Sequence, residues 1–152
     1  MQKSDRSKTA LLRHGYNTGM SESAEDVARA FAAAINRQDV EGLAGLMTPE
    51  HRFVDSLGNV VEGREKMRAA WIGYFRMVPD YSIVVEESYA AGAVVVILGK
   101  AKGTYTADGA LKPENRWETP AAWRAVVEGG LVAEWRVYAD NEPIREKMRR
   151  AG

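Results

Sequence analysis

Two alternating stretches joined by Gly129-Gly130 constrain the fold more than any other feature of the chain. On each side of the glycines an apolar residue occupies almost every second position: Trp117, Thr119, Ala121, Trp123, Ala125 and Val127 before them, and Leu131, Ala133, Trp135, Val137 and Ala139 after them. A period of two residues is typical of a half-buried strand. Because a tight hairpin turn needs positive φ, which glycine tolerates, the pattern predicts a long antiparallel hairpin with one apolar face.

Helical patterns occupy the part of the chain before the sheet. The first helix follows Ser23, which forms a capping pair with Asp26, and its apolar residues have helical spacing: Val27, Ala30, Phe31, Ala34 and Ile35. We expect a second helix from Val40 through Met47 that ends before Pro49. A third helix starts after Gly63 and ends at Pro79, and Pro143 opens a terminal helix.

Strand patterns fill the remaining sequence. Between the second and third helices, His51 to Asp55 reads as a short strand that turns at residues 56–59 into Val60-Val61. After the third helix, alternation begins at Tyr81, and a long strand is expected from Val94 to Tyr105.

Helices grouped before an antiparallel meander indicate an α+β fold. Four strands of this length curl strongly when one face wraps a helix, so we expect a cone-shaped fold whose strongly curved antiparallel sheet wraps around the N-terminal helices. The interior of such a cone is apolar, which suits a small ligand. We expect residues 21–152 to form a single domain and the basic segment 1–20 to be a tail or arm.

Composition excludes several classes of protein and site. The 152 residues include 21 Lys and Arg against 21 Asp and Glu, so net charge gives no reason to expect a nucleic-acid partner. Without cysteine, disulfides and thiolate sites are excluded, and with two histidines no metal site is predicted. No apolar run is long enough for a membrane span and no export signal is recognised, so we expect no membrane partner and a cytoplasmic protein. No phosphate loop or other cofactor motif is present, and no cofactor is expected.

Three stretches carry a resemblance to a known family: residues 32–39 at the exit of the first helix, 53–58 before and within the first turn, and 129–135 at the closing hairpin. Their order and spacing resemble the nuclear transport factor 2-like superfamily, in its SnoaL-like and ketosteroid isomerase-like branch. The resemblance implies the same cone-shaped fold and a homodimer formed through the outer sheet face, where strand parity places Arg124.

The resemblance assigns the position of the general base to Asp55, at the end of the first hairpin strand. A carboxylate that faces aromatic side chains is desolvated, so we expect its pKa to be raised. The alternative is an Asx turn in which Asp55 bonds the backbone near Leu57. His51 lies on the same strand face and is either a relay partner for Asp55 or a half-exposed histidine at the sheet edge.

Aromatic side chains form the predicted ligand site: Phe31, Trp71, Tyr74, Tyr105, Trp117 and Trp123. The alternative is that most of them form the core, because large aromatics dominate cores. In ketosteroid isomerases two oxyanion donors complete the mechanism, and the resemblance places Phe31 and Ala121 at those positions. Neither side chain can donate a hydrogen bond, so steroid isomerisation by that mechanism is not predicted.

Three hypotheses for function follow. The leading one is a small-molecule-binding SnoaL-like protein that acts as an isomerase or cyclase, transferring a proton at carbon of an apolar or aromatic substrate with Asp55 as base. The second is a non-catalytic dimeric binding or assembly module that uses its sheet face. The third is an epoxide hydrolase-like enzyme, which requires a second carboxylate and an arginine facing Asp55.

Overall fold

The computed structural model of the chain describes residues 22–151, and the predicted arm at 1–20 lies outside the described residues. Within that segment the helices are α1 (Ala24–Asn36), α2 (Val40–Gly45), α3 (Arg64–Met77) and α4 (Glu142–Ala151). The strands are β1 (Met47–Val54), β2 (Val60–Glu62), β3 (Ser82–Ala91), β4 (Val94–Thr104), β5 (Arg116–Glu128) and β6 (Leu131–Ala139), with a 3-10 turn at Pro113–Asn115 before β5.

The strands form one sheet in the order β2-β1-β6-β5-β4-β3. Every neighbouring pair is antiparallel except β1 and β6, which run parallel. The sheet is curved and does not close on itself, so the predicted α+β class and cone-shaped fold are confirmed. The Gly129-Gly130 hairpin is also confirmed, since φ is +58° at Gly129 and +79° at Gly130.

An irregularity in β3 introduces a bend into the sheet. The register shifts between Val85 and Glu87 opposite Gly99 of β4. A Cβ atom on Gly99 would lie 1.8 Å from the carbonyl oxygen of Val84, so only glycine fits at this close approach. Such bulges bend a strand and increase its local twist.

Helix α1 fills one end of the curved sheet. Ser23 is its N-cap and accepts a hydrogen bond from the backbone N–H of Asp26 at 3.1 Å, as the sequence predicts. At its other end, the Asn36 amide pairs with both backbone groups of Ile83, accepting from N–H at 2.7 Å and donating to C=O at 2.9 Å. This pairing fixes the helix end to the edge strand β3, and Phe31 is completely buried between helix and sheet.

Two predictions about elements are wrong. The second helix ends at Gly45, and Met47 begins strand β1, whose register with β6 is irregular between Met47 and Arg52 and so accommodates Pro49. In β6, Val132 is buried where the alternation predicted Leu131 and Ala133. A β-bulge causes this change, because Val126 pairs with Glu134 while the next residue of β5, Val127, pairs with Val132.

Every helix in the 22–151 segment is too short or too polar to cross a membrane.

Candidate functional site

A cavity of about 270 Å³ lies between helix α3 and the concave face of the sheet. Seven aromatic side chains line it: Phe53, Trp71, Tyr74, Tyr81, Trp117, Trp123 and Trp135. The other polar lining residues are Asp55, Ser56, Thr119 and Asn141. The volume is close to the lower limit for small-molecule sites, and a mostly apolar wall with a few polar groups is typical of them.

The aromatic walls form a continuous chain of ring contacts. Phe53 and Trp71 have centroids 6.3 Å apart at 73°, Trp71 and Tyr74 are 6.1 Å apart at 86°, and Tyr74 and Tyr81 are 5.0 Å apart at 87°. Edge-to-face contacts of this kind are favourable. Because successive planes are close to perpendicular, the rings do not stack on one another in parallel.

Asp55 lies directly after β1, at the start of the turn into β2. Its Oδ1 accepts hydrogen bonds from the backbone N–H groups of Leu57 and Asn59, each at 2.9 Å, and its Oδ2 accepts one from Asn59 Nδ2 at 3.1 Å. These are the hydrogen bonds of the Asx-turn interpretation. A carboxylate has about four lone-pair positions, so one position on Oδ2 remains after the turn is formed.

The expected rise in the pKa of Asp55 is wrong. Desolvation is the largest single influence and raises the pKa, but hydrogen bonds from Asn59 and Leu57, together with the nearby backbone N–H of Gly58, lower it below its ordinary value. The carboxylate is partly exposed, so burial is too slight to overcome the turn donors. Asp55 is therefore ionised at neutral pH while it borders the cavity.

Tyr74 and Tyr81 bring two phenols to the same wall, from the last turn of α3 and the residue before β3. Burial raises the pKa of Tyr74 well above its usual range, and the neighbouring Tyr81 raises it further. Burial also raises the pKa of Tyr81. Both phenols are consequently neutral at physiological pH and able to donate hydrogen bonds.

The indole N–H groups of Trp71, Trp117 and Trp123 are buried and have no protein acceptor. A buried donor without a partner costs about 1–3 kcal/mol. All three side chains line the cavity.

His51 does not line the cavity, and the prediction of a half-exposed histidine at the sheet edge is wrong. It is fully buried on β1, which lies inside the sheet, and its ring stacks on Phe31 with centroids 5.9 Å apart. Nδ1 donates to the carbonyl oxygen of Val132 at 2.7 Å, and Nε2 is buried without a partner. Burial lowers the pKa of His51, against smaller raising effects from that hydrogen bond and from Glu134. No hydrogen bond joins it to Asp55 within the described segment.

The predicted ligand residues divide into two groups. Trp71, Tyr74, Trp117 and Trp123 line the cavity, whereas Phe31 and Tyr105 do not. Phe31 packs on Trp135 with centroids 4.6 Å apart, in the part of the core that α1 fills. Tyr105 follows the end of β4, and its backbone N–H bonds Asn115 in the loop before β5.

The sequence matches the family model of the SnoaL-like domain over residues 28–135. The chain belongs to the SnoaL-like domain family. A search of curated proteins finds no match.

Solved structures share the fold of this SnoaL-like domain. IdmH from Streptomyces antibioticus, classed as a polyketide cyclase, aligns with a TM-score of 0.70 at 19% identity over 84% of this chain and 99% of its own. A protein from Shewanella denitrificans, classed as a SnoaL-like polyketide cyclase, gives 0.70 at 14% over 84% and 97%. A protein of ketosteroid isomerase-like fold from Catenulispora acidiphila, solved with trimethylamine, gives 0.69 at 20% over 80% and 90%.

Sequence reasoning missed several residues of the SnoaL-like cavity. The sequence patterns identify Tyr81 and Thr119 only as alternating strand positions and Ser56 only as part of a turn, and they do not single out Asn141. Ser56 Oγ accepts a hydrogen bond from Asn141 Nδ2 at 2.6 Å, which joins the first hairpin to the start of α4 beside the cavity. Thr119 could have been identified from the sequence, because it occupies the same alternate positions of the strand as Trp117 and Trp123. Across residues 22–151 there is no cluster of side chains able to hold a metal ion.

Proposed function

We propose that this SnoaL-like protein binds a small apolar or aromatic carbonyl compound in the cavity and transfers a proton at a carbon atom of that compound. One observation carries the proposal: within the described residues, Asp55 is the only carboxylate that lines the cavity. It is ionised at neutral pH, and one lone-pair position is not used by the turn. The Catenulispora acidiphila neighbour was solved in complex with trimethylamine, and a small molecule bound to a protein of this fold supports the proposal.

In the proposed reaction, Asp55 Oδ2 takes a proton from the carbon next to the carbonyl group. The electron pair of the C–H bond moves into the carbonyl, which becomes an enolate. In a β,γ-unsaturated ketone the enolate is conjugated with the C=C bond, and return of the proton from Asp55 to the γ-carbon gives the conjugated isomer. In a compound with a second carbonyl group, attack of the enolate carbon on that carbonyl closes a ring, and the proton held by Asp55 passes to the alkoxide that forms. Positioned acid–base groups of this kind typically contribute about 10²–10⁴-fold in rate.

Tyr74 and Tyr81 supply donors for the enolate oxygen in this proposal. They would replace the family's donors, whose positions hold Phe31 and Ala121 here. A neutral phenol with a raised pKa keeps its proton and stabilises the developing charge by donation. Loss of one such donor typically costs about 10²–10³-fold in rate.

The test follows proton exchange at carbon and does not require the natural substrate. We would incubate the protein with 2-tetralone, a flat bicyclic ketone, in D₂O and follow loss of the α-proton signals by ¹H NMR. We expect Asp55→Asn to slow exchange about 10²–10⁴-fold, while binding of 2-tetralone remains near that of the wild type, because asparagine keeps the Oδ1 acceptor that forms the turn. Tyr74→Phe should reduce exchange without loss of binding.

Asp108→Asn is the matched control for Asp55→Asn. Asp108 also accepts a backbone N–H within a turn, from Ala110 at 3.0 Å, and hydrogen bonding also lowers its pKa, but it does not line this cavity. Exchange in the Asp108 variant should equal that of the wild type. Undiminished exchange in Asp55→Asn contradicts the proposal, and so does the absence of exchange above background in the wild type.

A second proposal concerns self-association through the outer sheet face. Arg124 donates to Glu134 at 3.1 Å, Arg52 bonds the same carboxylate at 3.0 Å, and Leu98 and Tyr138 are exposed. A face with both apolar groups and paired charges supports a homodimer. We expect Arg124→Glu to shift the sedimentation coefficient from dimer to monomer, whereas Arg149→Glu, the same charge change on α4, leaves it unchanged. A wild-type monomer at all concentrations contradicts this second proposal.

The epoxide hydrolase-like alternative receives no support from the cavity. It requires an arginine and a second carboxylate that face Asp55, and neither lines the cavity in the 22–151 segment.

A further inference from the structure

The cavity carries an uncompensated negative charge. Asp55 is ionised, and no lysine, arginine or histidine is among the lining residues of the described segment. A ligand with a carboxylate or phosphate would bring a second negative charge close to Asp55 with no cation to balance it. A ligand with a positive charge would find an opposite charge at the cavity wall.

The aromatic side chains that line the cavity also favour a positively charged ligand. Phe53, Trp71, Tyr74, Tyr81 and Trp117 follow one another with centroid separations of 5.0–6.3 Å, and three of the four contacts are within 20° of perpendicular. The face of an aromatic ring is the negative side of its quadrupole. Several aromatic side chains of different orientation line this one cavity, and a lining of this composition is how aromatic cages bind methylated ammonium groups.

We propose that the cavity selects a small ligand bearing an ammonium group, which the ring faces and the Asp55 carboxylate hold together. The inference rests on the proposed function only in that both use the same cavity, and it adds the charge of the ligand. The ammonium group lies in the cavity beside Trp71, Tyr74 and Tyr81, and Asp55, which lines the same cavity, supplies the opposite charge.

The experiment compares three ligands of nearly the same shape. Choline carries a trimethylammonium group, 3,3-dimethyl-1-butanol replaces its nitrogen by carbon and is neutral, and 3,3-dimethylbutyrate has the same tert-butyl group with a carboxylate. Affinities would be measured by isothermal titration calorimetry or ligand-observed NMR at one ionic strength. We expect choline to bind at least about tenfold more tightly than the alcohol and the carboxylate to bind most weakly.

Two variants test which residues cause the preference for choline. Asp55→Asn should reduce choline affinity by about tenfold and leave the affinity of the alcohol almost unchanged, because only the charged ligand loses a partner. Trp71→Leu removes one ring face and should reduce the preference for choline over the alcohol. Asp108→Asn serves as the control and should leave the choline affinity unchanged.

Equal or tighter binding of the alcohol overturns the inference, as does tightest binding of the carboxylate or no choline binding at about 10 mM. Failure of this inference can be distinguished from failure of the proposed function. Exchange of 2-tetralone protons without a choline preference supports the proton transfer and overturns the ammonium ligand, and a choline preference without exchange does the reverse.

Discussion

Aromatic side chains lie at both ends of the curved sheet, yet one end is close-packed and the other contains the cavity. At the packed end, defined by Phe31, His51 and Trp135, the side chains are at most 1% exposed. At the hollow end, defined by Phe53, Trp71, Tyr74, Tyr81 and Trp117, comparable side chains surround the cavity. Trp135 borders both ends, since it packs on Phe31 and lines the cavity.

The difference arises from the helices that face each end. Helix α1 presents small residues beside its large ones, and Ala28, Ala32 and Ala34 are at most 2% exposed, so the helix approaches the sheet closely. Helix α3 has only Met67 and Trp71 buried. The space between helix α3 and the sheet is therefore lined, but not filled, by aromatic side chains. Aromatic content alone therefore does not distinguish a core from a ligand site.

The largest difference between the two ends is expected when the same truncation is made at each end and the free energy of unfolding is compared. Phe31→Ala at the packed end should lower the free energy of unfolding by about 3–5 kcal/mol, because it leaves a cavity in a close-packed region. Phe53→Ala at the hollow end should cost about half of that or less, since part of its surface already borders empty space. Urea denaturation of both variants measures the difference, and equal losses contradict the distinction between the two ends.

Enlarging a side chain is expected to have a smaller effect on the free energy of unfolding. Ala34→Leu at the packed end should destabilise by about 1–3 kcal/mol through overpacking. Ala101→Leu places the same carbons on β4 at the cavity wall and should change the free energy of unfolding by about 1 kcal/mol or less. It should also weaken binding of 2-tetralone, because the side chain occupies the ligand's space. Unchanged binding in Ala101→Leu places the ligand outside this cavity.

Much of the fold could be predicted from periodicity, because periodicity reflects which side of an element is buried. The inward face of β5, from Trp117 to Val127, has the burial that its alternation predicts. The prediction failed where the backbone departs from regular geometry. The bulge at Ala133 and the strand start at Met47 depend on pairing with distant strands, and pairing is not encoded in local spacing.

The candidate site was less predictable for a related reason. Periodicity indicates that Phe31 and Trp71 both point inward, but not whether each meets another side chain or empty space. The pKa of Asp55 was predicted in the wrong direction, because its value depends on turn donors supplied by Leu57 and Asn59 as well as on burial. Such hydrogen bonds depend on the local backbone geometry, which the residue types allow but do not determine.

The smallest predicted effect is a pH dependence of stability at the packed end. Burial lowers the pKa of His51 below its ordinary 6.5, because protonation would add an N–H at Nε2 where no acceptor lies. The unfolded chain therefore binds this proton at a higher pH than the folded protein. Stability from this group is complete above about pH 6.5 and is lost as pH falls, by at most about 1.4 kcal/mol per pH unit, until the folded-state pKa is reached.

Denaturation between about pH 7.5 and 5.5 measures that slope. His51→Asn keeps an N–H donor able to bond the Val132 carbonyl but removes the titrating ring, so the variant should lose most of the slope in this window. His14 is present in both proteins and cancels in the comparison. A slope that is the same in His51→Asn would show that protonation at the packed end does not limit stability. Asp55→Asn at the hollow end should leave the slope near pH 6 unchanged, because hydrogen bonds from the turn hold the pKa of Asp55 below its ordinary value.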